Sequence, residues 1–428
     1  MNKRNIYRCL MEALADTPVV FLRGARQTGK TTLARSLGEG EGDDARRYVS
    51  LDSATALVSA REDPVGFLSG AGRPLTLDEV QRAPELMLAI KEDVDRERAP
   101  GRYLLTGSAN VLALPSIADS LSGRMEVLTL YPLSQGEIVG VREDFIAAAF
   151  SHAFDAGELA ARMAVLPPFA RDDLLAAICA GGYPEVLSRM SERRRDAWFE
   201  SYVMTLIERD ARDISGVQDT AALIRVVSLL AARTANLFNQ SEVSRSSGAS
   251  NTTLSRYISL LEALFLIRFL PAWSNNLGKR LTKSPKLHLV DSGLAAHLCG
   301  ASLSRLRTDA ALAGHLFETF VAGELAKQSS WSAHSTSAFH YRKQTGEEVD
   351  LILEDRRGDV VGIEIKLAES VSGHDIKGLA GLRDTLGERF LRGFVVYAGR
   401  ELLPLGERLF ALPVRALWME SAEREQPG

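Results

Sequence analysis

The chain has 428 residues, with 51 Lys and Arg against 55 Asp and Glu and a formal net charge of −4. Hydrophobic residues make up 46% and charged residues 25%, an ordinary balance that excludes wholesale disorder, collagen and coiled-coil rods. The length allows roughly two to four domains, and so small a net charge confines any nucleic-acid surface to a local patch. Cys9, Cys179 and Cys299 lie far apart and form no CxxC pair, so a reducing cytoplasm is expected rather than a disulfide framework or zinc knuckle. The most apolar stretch, residues 258–273, is broken by Glu262 and Arg268 short of the roughly 20 residues a membrane helix needs. Lys3, Arg4 and Arg8 make the N-terminus basic, but Glu12 and Asp16 fall where a signal peptide requires an apolar run.

In chain order, short apolar runs at 19–22, 48–51, 75–77, 103–106 and 127–130 alternate with helical patterns. Strands alternating with helices predict a parallel α/β sheet over residues 1–140. From Gly136 to Asp213 the periodicity is almost purely helical, broken at Pro167-Pro168 and at Gly181-Gly182-Tyr183-Pro184; residues 141–215 read as a lid-like helical segment. A second helical block is expected from Thr220 to about Phe269, inside a segment spanning 216–300. The tail, 301–428, reads as a helix, strands at 339–342, 349–353 and 360–365, another helix, and a strand at 393–397, with a frayed end from Glu420 to Gly428.

The first apolar run leads into Gly24-Ala25-Arg26-Gln27-Thr28-Gly29-Lys30-Thr31, which satisfies G-x-x-x-x-G-K-[ST] at every fixed position and is followed by Thr32 in the next helix. The glycines let the backbone fold into a nest of N–H groups aimed at phosphate oxygens. Lys30 neutralises the terminal phosphates, the Thr31 hydroxyl ligates Mg²⁺, and the helix adds its positive end. Leu75-Thr76-Leu77-Asp78-Glu79 supplies an apolar strand ending in acids, with Asp78 expected to hold the Mg²⁺ shell and Glu79 to polarise the attacking water. The run 103–110 ends in hydroxyls, so its strand, inserted between the first two, would present Thr106 or Ser108 to the terminal phosphate. Arg124, in Ser122-Gly123-Arg124, would either stabilise charge in phosphoryl transfer or serve as a surface arginine. No N-K-x-D string reads guanine, so the expected ligand is ATP with Mg²⁺.

With those motifs in hand, GARQTGKTTL, LTLDEVQRAPEL, LLTGSAN and LSGRMEVLTLYPLSQGEI, in that order, resemble the bacterial and archaeal AAA+-type ATPases that carry a C-terminal domain of unknown function (DUF4143). GGYPEVL, YVMTLIERD, LVDSGLAAHL and EEVDLIL…IEIK are similar to the remainder of that family, so the resemblance covers nearly the entire chain. It implies ATP binding and names no substrate.

Residues 241–290 hold seven basic side chains (Arg245, Arg256, Arg268, Lys279, Arg280, Lys283, Lys286) against Glu242 and Glu262, a local balance of +5. A short helix at 241–247, a Gly248-Ala249 turn and a longer helix at 251–265 suggest a winged helix. Leu254, Ile258, Leu261 and Phe265 would face inward, and Thr252, Ser255, Arg256 and Ser259 outward as a recognition surface. The cations after Gly278 would form a phosphate-contacting wing; the same module also serves as a cover or docking surface, so DNA is one of two partners it allows.

In the tail, Asp350 lies in one apolar run, and Glu364 and Lys366 share a side of the next by period-2 alternation. A hairpin would set them side by side, with Glu318 completing a shell for one or two Mg²⁺ ions. This order of residues resembles the PD-(D/E)xK nuclease fold. The alternative is a buried Asp350–Lys366 ion pair that only holds the sheet together. The seven histidines show no ligand spacing.

The fold class expected is therefore α/β: a P-loop AAA+-like parallel sheet, a helical segment, a winged helix and a restriction-endonuclease-like α/β domain at 301–428. Two functions fit, an ATPase acting on DNA by cutting or remodelling, and an ATP-dependent regulatory switch whose C-terminal domain binds a partner without cleavage. A third, transcription control, needs only the winged helix. Oligomerisation stays open, and with it whether Arg124 acts on its own subunit or a neighbour.

Overall fold

Apolar runs such as Val19-Val20-Phe21-Leu22 have no polar face to offer water, so they require cover on both sides. The computed structural model describes residues 3–38, 46–108, 121–164, 169–211, 219–276, 278, 280, 283–343 and 346–419. Ala109, Asn110, Pro167, Pro168, Asp213, Lys279 and the 420–428 tail therefore lie outside the described residues. By contact the chain divides into two units, 1–133 with 263–265, and 134–262 with 266–428.

In the first unit, β1 (Val19–Arg23), β2 (Arg47–Ser50), β3 (Leu75–Asp78), β4 (Tyr103–Gly107) and β5 (Met125–Thr129) form one sheet in the order β2-β3-β4-β1-β5. Every neighbouring pair is parallel. The strand of hydroxyls, β4, is thus inserted between β1 and β3, as its sequence predicts. One face is filled by Val19, Phe21, Leu75, Leu77, Tyr103 and Leu105 packed against Leu68, Leu86, Met87 and Ile90 of flanking helices. Those helices start at local signals: Ser53 caps Ala54–Glu62, and Asp63 caps Pro64–Ala71, where proline's missing N–H costs nothing.

The second unit holds together the stretches 141–215, 301–428 and, apart from 263–265, 216–300. Where a helical block is expected from Thr220 to Phe269, the chain instead interleaves helices Thr220–Ala231, Gln240–Ser247 and Asn251–Ala263 with β6 (Asn236–Leu237) and β7 (Ile267–Leu270). With β8 (Lys286–Leu289) these strands form an antiparallel sheet, order β6-β8-β7. β6 is too short to leave a period, and β8 carries Lys286 and His288 fully buried, so its alternation reads as polar.

The tail is a six-stranded mixed sheet in the order β13-β14-β12-β11-β10-β9. Its strands are β9 (Thr336–Arg342), β10 (Glu348–Asp355), β11 (Val360–Lys366), β12 (Phe390–Tyr397), β13 (Leu403–Gly406) and β14 (Leu409–Pro413). β10 and β11 form the expected hairpin, and β11 pairs parallel to β12 after a crossover through helix Lys377–Leu386. That helix buries Leu379, Leu382 and Leu386 on Val349, Ile352, Val360, Phe390 and Val395. β13 and β14 are additions to the sequence reading; in β13 Pro404 and Gly406 break the strand pattern.

Two family strings earn their composition by close packing. Asp291 is buried and accepts from Gly182 N at 2.8 Å and from Leu294 N at 2.9 Å, capping helix Ser292–Leu298. A Cβ on Gly181 would lie 2.2 Å from Asp291 Oδ1, and one on Gly293 2.6 Å from the Ala180 carbonyl, so GGYP and VDSG pack as complementary halves.

The SQGE string starts helix Gln135–Val139 with a capping box between Ser134 and Glu137. Beside it Glu143 is fully buried, accepting from Gly136 N at 3.0 Å, and Glu324 accepts from Gln135 N at 2.8 Å while pairing with Lys327 at 2.6 Å. Burial, and next the Glu324 charge, push the Glu143 carboxyl well above the usual carboxylate range; Glu137 adds to the shift and Lys327 opposes it. The folded chain thus keeps a proton that the unfolded chain releases above pH ~4.3. The sign is that stability from this group is present at low pH and declines as pH rises toward the raised folded value. Glu143→Gln, which keeps an acceptor for Gly136, is expected to flatten that decline. Thermal unfolding at pH 5 and pH 8 checks it: the variant should gain on the parent only at pH 8.

Candidate functional site

β1 ends at Arg23, and the chain turns at once through Gly24–Thr31 into helix Lys30–Ser36. The turn demands its residue types. Gly24 has φ +157°, and a Cβ there would sit 2.1 Å from the Leu130 carbonyl oxygen, while Gly29, with φ +96°, is the left-handed N-cap. Gln27 takes φ 64° without glycine's freedom, a strained conformation typical of sites that hold a ligand. Buried Lys30 donates to Gly24 O at 2.9 Å and Ala25 O at 2.7 Å, so its ammonium is held over the loop by the loop's own carbonyls. Thr28 braces the turn by donating to Ala25 O at 2.9 Å. Thr32 is exposed on the helix, and Arg26 is half-buried.

The acids arrive from β3. Asp78 accepts from Thr31 Oγ1 at 3.0 Å, from Tyr48 of β2 at 2.5 Å, and from Thr106 of β4. Glu79 follows with φ 62°, a left-handed residue that redirects the chain, and its carboxylate accepts from Gln81 and, at 3.3 Å, from Ser108. Lys30, Thr31, Asp78, Glu79, Thr106 and Ser108 therefore gather at the C-terminal edge of one sheet. Oxygen donors such as the Thr31 hydroxyl and Asp78 carboxylate are the donor set a hard cation takes, so these residues fit Mg²⁺.

Three contributors escaped the sequence reading. Arg4, buried, donates to Thr28 O and to Tyr131 O, both at 2.7 Å, pinning the loop from the N-terminus with no motif to announce it. Tyr48 is pushed up to about 12 by burial and by its hydrogen bond to Asp78, so it is a proton donor held on that carboxylate. Its place in β2, the strand beside the acid-bearing β3, is known only from the fold. Gln81 lies two residues beyond the acid pair.

Arg124 is not brought to this site. Its carbonyl accepts from Val19 N at the opposite end of β1, and its guanidinium pairs with Asp95 at 2.5 and 3.0 Å. In a parallel sheet the phosphate loop lies at the other edge, so action on its own subunit's phosphates is excluded by geometry.

The second candidate cluster is in the tail. Asp350 stands one step beyond the Leu351↔Ile363 pair, opposite Glu364, and accepts from Ile365 N at 2.9 Å. Lys366 pairs with Glu364 at 2.7 Å rather than with Asp350. Lys286 of β8, expected on a phosphate-contacting wing, is instead buried with Nζ 2.9 Å from each of Glu318 Oε1, Glu348 Oε1 and Asp350 Oδ1. Burial opposes its charge, but Asp350, Glu318 and Glu348 together raise its pKa above the ordinary lysine value. Glu318 and Glu364 are each pushed up to about 8 by burial and then by the Asp350 charge. Glu318, Asp350, Glu364 and Lys366 thus border one cavity but do not form a metal shell. Among the described residues no three His, Cys, Asp or Glu groups converge to hold a metal ion.

The basic segment shrinks in the same way. Arg245, Arg256 and Lys283 are exposed, whereas Arg280 pairs with Glu354 at 2.6 Å and Lys286 is occupied as above. Thr252, Ser255 and Ser259 are exposed on helix Asn251–Ala263, as expected. No helix among the described residues is long and apolar enough to cross a membrane.

A nest of amides, a lysine and an acid-bearing strand one place beyond the neighbouring strand of a parallel sheet define a P-loop nucleotide-binding protein. Family comparison agrees: the AAA domain matches residues 16–139, a domain of unknown function (DUF8612) residues 171–305, and another (DUF4143) residues 313–417. Uncharacterised proteins of Mycobacterium tuberculosis and Mycobacterium bovis are each 31% identical over 418 residues, 96% of this chain and 84% of theirs. An uncharacterised protein of Haemophilus influenzae is 27% identical over 202 residues, 46% of each chain. AMPPCP-bound DnaA from Aquifex aeolicus covers 60% of this chain and 86% of its own at 17% identity, with a TM-score of 0.26, too loose a superposition to bear on function. The chain belongs to the family that joins an N-terminal AAA-type ATPase domain to a C-terminal DUF4143 domain.

Proposed function

We propose that the chain is a cytoplasmic, Mg-ATP-hydrolysing switch whose nucleotide state is read out by residues 134–428. Gly24 to Thr31 bind the phosphates, with Lys30 on the terminal ones; Thr31 and Asp78 hold Mg²⁺, which supplies charge neutralisation when bound. Glu79 positions and deprotonates the attacking water, and Thr106 reports the state of the terminal phosphate through Asp78. The observation that carries this reading is the hydrogen-bonded set Thr31–Asp78–Thr106 beside a lysine already aimed across the loop. Glu79→Gln is expected to leave Mg-ATP affinity unchanged while cutting turnover about 10²- to 10⁴-fold, the usual share of a general base. Hydrolysis at the parental rate would refute the assignment.

Between the two outputs, partner binding without cleavage is favoured by Lys286, which fills the position that a nuclease-like centre needs for metal. DNA contact through a winged-helix-like module at 216–300 is supported by the exposed Thr252, Ser255, Arg256 and Ser259 on one helix, with Arg245 and Lys283 nearby in sequence. With three exposed cations, such binding would fall steeply with salt, by a log–log slope of about −3. Fluorescence anisotropy with duplex DNA at several salt concentrations tests it, and salt-independent binding would point to a protein partner. Arg124 would act on nucleotide only across a subunit boundary in an oligomer.

A further inference from the structure

The cavity lined by Lys286, Glu318, Glu348, Asp350, Glu364 and Lys366 has a volume of about 590 Å³ and lies wholly within the second unit. Six carboxylates line it, those of Glu318, Glu347, Glu348, Asp350, Glu364 and Asp375, and the Lys286 ammonium lies 2.9 Å from an oxygen of three of them, donating to Glu318 and Asp350 and ion-paired with Glu348. Lys286 is 2% exposed, deeper than the Glu318, Asp350 and Glu348 side chains it neutralises. Of the others, Glu364 is taken by Lys366 through Oε1, Glu347 by Lys343, and Asp375 accepts from Ser372. A divalent cation takes carboxylate oxygens as ligands, and the Lys286 ammonium, among Glu318, Glu348 and Asp350, already stands where such an ion would sit and supplies the positive charge it would bring.

We infer that Lys286 is a built-in counter-ion that occupies the cation position of this acidic cavity and closes it to divalent metals. The C-terminal sheet then holds no metal-dependent phosphodiesterase centre while β8 is in place. The lysine comes from β8, a strand of the three-stranded sheet, and not from the six-stranded sheet that carries Asp350 and Glu364. A metal-competent cavity would require β8 to withdraw. Nothing in this depends on the ATPase reading, because no residue of the phosphate loop takes part.

Mn²⁺ binding, followed by electron paramagnetic resonance on the full chain without nucleotide, tests it. Only binding that Asp350→Asn removes is counted, which separates this cavity from the Thr31–Asp78 site. The parent is expected to show none, and Lys286→Met to gain one such site and to melt higher in Mn²⁺ than without it. If Lys286→Met is too unstable to purify, Lys286→Met/Glu348→Gln removes one of the uncompensated charges and is expected to gain the same site. Parent protein that binds Mn²⁺ in an Asp350-dependent way would overturn the inference without any Lys286 variant, as would a folded Lys286 variant that gains no site.

Discussion

Lys30→Ala is expected to lower Mg-ATP affinity by about 10²- to 10⁴-fold, measured with a fluorescent ATP analogue and by loss of phosphate release. The magnitude follows from two charge-assisted contacts to phosphate, each about 1.5–3 kcal/mol, at about 1.4 kcal/mol per tenfold. Lys30 Nζ already sits on Gly24 O and Ala25 O, so moving it to phosphate exchanges neutral acceptors for charged ones. Its removal also strips a brace from the turn, but Arg4 and Thr28 still hold it. Melting should therefore change little while binding collapses; unchanged affinity would show that the turn is not the phosphate site.

Asp291→Ala is expected to be the most damaging change outside the nucleotide site. One buried carboxylate closes two gaps, capping helix Ser292–Leu298 through Leu294 N and satisfying Gly182 N on another segment. Losing a cap costs about 0.5–2 kcal/mol, and stranding a buried N–H about 1–3 kcal/mol. The loss should total about 2–5 kcal/mol, enough to shift urea unfolding of residues 134–428 well below the parent's midpoint. Asp291→Asn, which retains an acceptor oxygen, should lose visibly less. Equal effects from the two variants would mean the carboxylate's charge, not its acceptors, is what the packing needs.

The nucleotide site was legible in the sequence because its chemistry is local. Gly24, Gly29, Lys30 and Thr31 are fixed by a turn eight residues long, and Asp78 and Glu79 by the end of an apolar run. What the sequence hid is what arrives from elsewhere in the chain. Arg4 and Tyr48 reach the site through tertiary packing, and neither carries a spacing signal. Lys286 was misread for a related reason: a lysine in a basic stretch looks solvated, and only the pairing of β8 with β7 and β6 reveals that it faces inward among carboxylates. Of the two roles left open for Arg124, the structure gives it an exposed ion pair with Asp95, because preceding a parallel strand puts it at the edge away from the loop. The β10–β11 hairpin was legible because a polar turn separates two alternating runs, whereas β6 and β13 are too short or too interrupted to leave a period.

The most direct test of the whole account is a calorimetric titration of the purified chain with Mg-ATP. The account predicts a saturable heat with one nucleotide per chain, lost in Lys30→Ala and preserved in Glu79→Gln. No heat from folded parent protein would contradict it.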